Sequence, residues 1–235
     1  MLSRLKEIIN NSSDIVFFGG AGVSTESGIP DFRSADGLYM MNYKYPPESI
    51  LSHTFFTEHT KEFFEFYRKN MIFTDAKPNA AHLKLAELEK VKKLKAVVTQ
   101  NIDGLHTAAG SKTVFELHGS TLRNYCMKCG KFHGVESILK SADVPKCECG
   151  GIIKPDVVLY EESLDEETVN GAINAIKKAD TLIVAGTSLR VYPAAGFIRY
   201  FSGDNLILIN KDSTEMDNRF DLIVNGKIGE ILSLI

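Results

Sequence analysis

A chain of 235 residues with 44% apolar and 24% charged residues suits one large soluble domain, or one domain with a smaller module. Its formal net charge of −3 gives no global basic field for nucleic acid or an anionic membrane surface. No apolar run approaches bilayer-spanning length and no apolar leader opens the chain, so the expected location is the cytoplasm.

The opening MLSRLKEIINNSSD reads as a short amphipathic helix. DIVFF (14–18) is a buried strand running into glycines. Residues 34–56, with Gly37, the Pro46-Pro47 pair and several aromatics, read as an irregular insertion. Residues 57–70 and 79–91 have helical spacing, with Pro78 near a helix start. Strands follow at KAVVTQN (95–101) and TVFELHG (113–119), then a cysteine-bearing module with little periodicity at 120–155. TLIVAGTS (181–188) is a buried strand entering a turn, and 193–201 reads as a helix. NLILIN (205–210) and DLIVNG (221–226) are the last strands, and KIGEILSLI closes the chain as a helix.

Short apolar runs alternating with helices indicate an α/β fold, a mostly parallel sheet covered on both faces. In such sheets ligands bind beyond the carboxyl ends of the strands. Polar clusters fall there five times, at 19–25, 100–103, 118–119, 186–188 and 210–212.

The four cysteines lie between residues 126 and 149. Cys126 and Cys129 form CxxC, and Cys147 and Cys149 form CxC after a 17-residue gap. Two short-range thiol pairs, each followed directly by a glycine (Gly130, Gly150), suit a tetrahedral Cys₄ zinc site. Four thiolates close the shell, so such a zinc is structural. A redox CxxC would leave the second pair unexplained. The module's Arg123, Lys128, Lys131, Lys140 and Lys146 are mixed with Glu136, Asp143 and Glu148, which fits solvated charge better than a phosphate track.

Gly20-Ala21-Gly22 after a strand suggests backbone amides close to a phosphate. The pattern is incomplete, because Thr25 stands where a third glycine belongs, and an acidic ribose ligand is hard to find downstream. On the glycines alone, a tight turn with no ligand also fits.

The loop's tail changes this. GAGxSxxxGIPDFR, Gly20 to Arg33, resembles the sirtuin family of NAD-dependent protein deacylases. The resemblance continues in order through Gln100-Asn101-Ile102-Asp103, His118-Gly119, the cysteine pairs, Lys154 to Val158, Gly186 to Leu189, Val191-Tyr192-Pro193 and Ile209-Asn210. It implies a Rossmann-like NAD-binding domain (1–33, 76–119 and 156–235) and a small domain (34–75 and 120–155) that includes the zinc module. NAD and an acyl-lysine protein or peptide would meet in the cleft between them. NAD is then a consumed co-substrate, and the reaction as a whole yields nicotinamide, O-acetyl-ADP-ribose and free lysine.

The resemblance also implies roles. Gly20, Gly22 and Gly186 would bring backbone to the cofactor, with Ala21, Thr25, Thr187 and Ser188 lining pyrophosphate and ribose. Phe32 would cap the anomeric carbon and exclude water, which would intercept the oxocarbenium-like centre. Arg33 would face the phosphates or steady the segment behind it. Asp103 and the Ile102 backbone would hold the nicotinamide carboxamide, Asn101 the ribose or an ordered water, and Gln100 a ribose hydroxyl. Asn210, Lys211 and Ile228 would bracket the adenosine. In the family's reaction the acyl oxygen attacks the anomeric carbon as nicotinamide leaves, and a ribose hydroxyl then attacks the resulting imidate. His118 would be the general base of that second step, since an imidazole with a reference pKa near about 6.5 is available neutral. The other histidines are read as structural. Asp31 and Asp156, each after a proline, are read as turn caps.

Val157, Val158, Tyr160, Glu161, Arg190 and Val191 would line the peptide groove by backbone pairing. Glu161 stands where many relatives have glycine, which suggests a preference for basic peptides that Arg190 would partly cancel. Relatives that favour succinyl or malonyl groups carry Tyr-x-x-Arg after the first loop. Here Tyr39 is followed at that spacing by Asn42, so neutral acyl groups, acetyl first, are expected. Competing readings are protein mono-ADP-ribosyl transfer at the same NAD site, an NAD oxidoreductase, and a zinc-ribbon binding module without turnover.

Overall fold

The computed structural model describes residues 1–32, 37–38 and 43–235. Helix α1 (Leu2–Asn11) leads into strand β1 (Ile15–Gly19) and two 3₁₀ turns, Ala21–Val23 and Thr25–Ser27. Helices α2 (Pro47–Ile50), α3 (His53–Glu58), α4 (Thr60–Asn70) and α5 (Ala80–Lys90) precede β2 (Leu94–Thr99). Then come α6 (Leu105–Ala108), β3 (Val114–Glu116), β4 (Gly119–Cys126), β5 (Phe132–Gly134), α7 (Glu136–Leu139) and β6 (Ile153–Val157). The chain ends with α8 (Glu166–Lys178), β7 (Thr181–Ala185), a 3₁₀ helix (Ala194–Tyr200), β8 (Asn205–Asn210), β9 (Leu222–Asn225) and α9 (Ile228–Ser233). Among the described residues, no helix is long and apolar enough to cross a membrane.

Six strands form a parallel sheet in the order β3-β2-β1-β7-β8-β9. Strand alternation divides the core between its two faces. Ile15, Phe17, Ile183, Ile207 and Ile209 face α1, α5 and α9, which contribute Leu5, Ile9, Leu85, Leu88, Ile231 and Leu232. Val16, Phe18, Leu182, Val184, Leu206 and Leu208 face α8 and the 3₁₀ helix, which contribute Ala172, Ile176, Phe197 and Ile198. Burying a Val, Leu, Ile or Phe side chain stabilises the fold by about 1.5–3 kcal/mol relative to exposure.

A second, antiparallel sheet has the order β5-β4-β6. Its apolar residues Cys126, Ile153 and Val157 share a third core with Phe55, Phe56, Phe63, Phe64 and Tyr67 from α3 and α4. Edge-on ring pairs run through that core, Phe56 on Phe63 at 5.0 Å and Phe63 on Phe64 at 5.3 Å. The segments on either side of β2 and β3 are thus joined by burial rather than by sequence.

Several sequence expectations change in detail. The helical pattern at 57–70 is broken at His59, which leaves the helical region at φ −129°, ψ 45°. The 193–201 helix is 3₁₀. The strand at 113–119 stops at Glu116, and Gly119 already begins β4. Helix α8, 13 residues long, was not foreseen from periodicity. Asn170 and Gly171 dilute its apolar stripe, and Gly171 is required because a Cβ there would run into the Phe115 ring. Its ends did carry a signal: Asp165 caps Thr168 N at 2.8 Å, Glu166 and Glu167 open it, and Lys177 and Lys178 close it.

Candidate active site

The strand order reverses between β1 and β7, so a crevice opens at their carboxyl ends. Gly20, Gly22 and Gly186 meet there. A Cβ on Gly20 would lie 2.7 Å from Gly186 O, and one on Gly22 would lie 2.8 Å from Gly186 Cα. Gly186 itself has φ +61°, and a Cβ on it would collide with Val23 N. The amides of Gly20 and Gly22 donate to Ala185 O (3.1 Å) and Gly186 O (2.9 Å). These glycines therefore hold two loops in backbone contact, and their own amides are engaged in doing so.

A polar row runs over the sheet's carboxyl edge. Gln100 Nε2 donates to Thr187 Oγ1 at 3.2 Å, and Asn210 Nδ2 donates to Thr187 O at 3.2 Å. Ser188 is half-buried beside Thr187, Lys211 is exposed, and Thr25 Oγ1 donates to Gly22 O at 3.0 Å. Ile228 is 4% exposed and its side chain belongs to the core beneath the sheet, which leaves only its backbone to meet a ligand. Glu26, which no sequence argument singled out, accepts from Gly229 N at 2.6 Å and ties the glycine loop to α9.

Ser24 was also missed. It is the serine of the GAGxS motif, and it is 1% exposed. Its Oγ donates to Asp103 Oδ2 at 2.6 Å and accepts from Asn101 Nδ2 at 3.0 Å. Asp103 Oδ1 accepts from Leu105 N at 2.9 Å, and Ile102 O accepts from Thr121 N at 2.9 Å. The 101–103 loop is thus fixed from three sides. Phe32 packs against the small core, while Arg33, Tyr39 and Asn42 lie outside the described residues.

His118 is half-buried between β3 and β4. Its Nδ1 lies 2.9 Å from Gln100 O. A carbonyl only accepts, so Nδ1 carries the proton and Nε2 keeps its lone pair. Burial pushes the His118 pKa below the ordinary imidazole value, against the upward pull of the Gln100 bond. A neutral imidazole with Nε2 available is the form a general base requires.

The residues expected to line a peptide groove differ in exposure. Val157 is buried in β6, Val158 N donates to His118 O at 3.0 Å, and Tyr160 and Glu161 are exposed. Glu161 has φ +75°, and its carboxylate accepts from Thr54 N (2.9 Å) and Thr54 Oγ1 (2.8 Å). Arg190 pairs with Glu215 at 2.8 Å, and Val191 follows half-buried. Arg190 is thus paired with a carboxylate and Glu161 is held by hydrogen bonds from Thr54. Asp156 is no turn cap: it lies within β6 and pairs with Arg123 Nε at 2.8 Å. The strand continues through Pro155 because that residue needs no ladder amide at the bulged part of the β4–β6 pair.

The four thiols converge. Cys126 and Cys149 Sγ are 3.4 Å apart, Cys129 and Cys147 Sγ 3.8 Å, and all four lie within 4.8 Å of one another. A tetrahedron with Zn–S near about 2.3 Å has an edge of about 3.8 Å, so the donors fit zinc. Gly130 (φ +70°) and Gly150 (φ +81°) turn the two knuckles, and their amides bond Cys126 O and Cys147 O. The shorter CxC spacing closes as well as CxxC does.

Comparison with known proteins agrees with this geometry. The Sir2 family model matches residues 20–193. A protein named NAD-dependent protein deacetylase from Clostridium acetobutylicum is 63% identical, covering 100% of this chain and 97% of its own length. One of the same name from Clostridium perfringens is 61% identical, covering 100% and 98%. A solved Sir2 structure with deacetylated p53 peptide and 3′-O-acetyl ADP ribose superposes with a TM-score of 0.91 at 40% identity, covering 98% of this chain and 95% of that one. Identity at this level along the whole length makes the chain a member of the Sir2 family.

Proposed function

We propose that this chain is an NAD-dependent protein-lysine deacetylase, consuming NAD and an acetyl-lysine protein and releasing nicotinamide, O-acetyl-ADP-ribose and free lysine. The observation that carries the reading is His118 at the carboxyl edge of a switch-point crevice, its Nδ1–H on Gln100 O and its pKa lowered by burial. Its relatives are named for the same activity.

NAD supplies the glycosidic bond that breaks, and the chain's residues hold, shield and deprotonate. Asp103, fixed by Ser24 and Leu105 N, and the Ile102 backbone would take the nicotinamide carboxamide. Asn101, held by Ser24, would orient the ribose or a water. Phe32 would keep bulk water from the anomeric carbon. Gln100, Thr187 and Asn210 would meet ribose and adenosine hydroxyls, and Ala21, Thr25 and Ser188 the pyrophosphate side. His118 Nε2 would take the proton of the attacking ribose hydroxyl. Val158, Tyr160, Glu161 and Val191 would line the acyl-lysine segment.

Cys126, Cys129, Cys147 and Cys149 would hold one zinc, and its closed thiolate shell would stabilise the small domain. In this reading the six-stranded sheet and its helices are the NAD-binding domain, and α2 to α4 with the second sheet are the small one, with β4 and β6 crossing the boundary. A cytoplasmic location completes it.

The test is mass spectrometry of an acetyl-lysine peptide with and without NAD, alongside His118→Ala. NAD-dependent loss of acetyl that requires His118, with acetylated ADP-ribose as product, is the expected result. Intact peptide with nicotinamide still released, or ADP-ribose retained on protein, would instead indicate NAD hydrolysis or ADP-ribosyl transfer.

A further inference from the structure

Strand β4 does not run straight from His118 to the thiol cluster. Its register against β6 passes from Ser120↔Asp156 to Asn124↔Pro155, so Thr121, Leu122 and Arg123 have no partner on β6, while Arg123 stays paired with Gly134 of β5. Bulges re-aim side chains beside active sites. Here the bulge reaches both loops that carry the proposed chemistry. Thr121 N and Oγ1 donate to Ile102 O at 2.9 and 3.1 Å. Leu122 lies against Gly104, where a Cβ would come 2.6 Å from Leu122 Cδ1.

Arg123 turns back toward the histidine. Its Nη1 donates to Glu116 Oε2 at 2.6 Å and its Nε to Asp156 Oδ2 at 2.8 Å. Glu116 ends β3, two residues before His118. Asp156 precedes Val157, which pairs with Gly119, and Val158 N bonds His118 O. One guanidinium therefore joins both sides of the His118–Gly119 turn. That turn has little slack: Gly119 has φ +74°, and a Cβ on it would collide with Asp156 O. The Glu116 side chain is only 13% exposed, and Asp156 and Asp103 are close enough to repel it. Without Arg123 the repulsion on the buried Glu116 carboxylate would lose its compensating charge, a costly state for a buried ion.

We propose that Arg123 is a positioning residue for His118, holding the His118–Gly119 turn on β6 so that Nε2 is aimed for the step after nicotinamide leaves. The inference rests on the deacetylase reading and adds a specific consequence. Nicotinamide departs and can return before His118 is needed. Exchange of labelled nicotinamide into NAD, with acetyl peptide present, thus reads the first half of the reaction, and net deacetylation reads the whole.

The experiment measures both activities in the full chain, with melting temperature and both KM values. Arg123→Ala is expected to lose about tenfold or more in deacetylation kcat, as misplacement of a catalytic group does. Exchange and both KM values should stay within about threefold of wild type. The double variant Arg123→Ala with Glu116→Gln should recover part of the lost rate, because it removes the unpartnered carboxylate. If Arg123→Ala does not fold, Arg123→Lys, which keeps one charge but not the fork, should show the same split to a lesser degree. Equal loss of exchange and deacetylation would make Arg123 a general structural residue and overturn the proposal, as would wild-type deacetylation in folded Arg123→Ala. A wild-type protein with neither activity would refute the deacetylase reading itself, whereas an active wild type with a fully active variant sinks only the role of Arg123.

Discussion

Two buried histidines predict an acid-sensitive fold. His82 and His106 are 0% and 2% exposed, and their rings lie 4.7 Å apart between α5 and α6. His82 Nδ1 accepts from Asn79 N, while neither ring nitrogen of His106 meets a partner among the described residues. Burial pushes the His82 pKa down to about 4, with Asp103 pulling the other way. Burial and then His82 push that of His106 down to about 3. Above the unfolded value of 6.5 both states are neutral and pH has no effect through these groups. Below it the unfolded chain binds protons that the folded chain refuses, so stability falls as pH falls, down to the folded values. The slope is about 1.4 kcal/mol per pH unit per histidine, or about 2 kcal/mol for each between pH 6.5 and 5. The pair should therefore cost about 4 kcal/mol by pH 5, a large part of the usual margin of about 5–15 kcal/mol.

Urea denaturation of wild type and His106→Leu at pH 7.5, 6.5, 5.5 and 5.0 measures this. Leucine approximates the ring's volume and takes no proton. The variant should gain about 2 kcal/mol relative to wild type between pH 7.5 and 5.0. Thiolate protonation and zinc loss act on both proteins and cancel in the difference. Identical pH dependence in the two would refute the argument, because it would mean that His106 is protonated or hydrated in the folded state.

Other consequences follow from the site. His118→Ala should lower deacetylation by about 10²–10⁴ with an unchanged melting temperature, as expected for loss of a general base. Steady-state kinetics beside a thermal melt would expose an unfolded variant instead. Wild-type kcat/KM should fall on the acid side with an apparent pKa below the ordinary histidine value, since burial lowers that of His118; a break above about 7 would count against it as the base. Gly186→Ala should destabilise by about 2–4 kcal/mol, because the position combines φ +61° with contact against the Gly22–Val23 backbone. It should also raise KM for NAD, and calorimetric NAD binding equal to wild type would refute that. Removing zinc with a chelator should release one ion per chain and unfold the small core, read by near-UV dichroism of its phenylalanines and tyrosines. Unchanged dichroism after complete zinc release would show that the cluster is not needed for packing.

Much of this protein is determined along the chain itself. NLILIN and TLIVA are strands because continuous apolar runs suit a sheet buried on both faces, and the observed β8 and β7 fall on them. The paired cysteines and their following glycines specify a metal knuckle by short-range geometry, which is why even the CxC half could be read. The glycine loop, Gln100 to Asp103 and His118 were legible as polar groups at strand ends, and the family resemblance supplied the roles proposed for them.

Tertiary structure decided what depends on neighbours far apart in sequence. Helix α8 hides in its pattern because Gly171 answers to the Phe115 ring rather than to helix propensity. Ser24 gains its role from Asn101 and Asp103, 77 and 79 residues away. Asp156 looked like a turn cap beside its proline, yet Arg123 on a bulged strand claims it. Local sequence dictates periodicity and turns through sterics within a few residues. Which polar group meets which, and which glycine must stay bare, is dictated by chains brought together on folding.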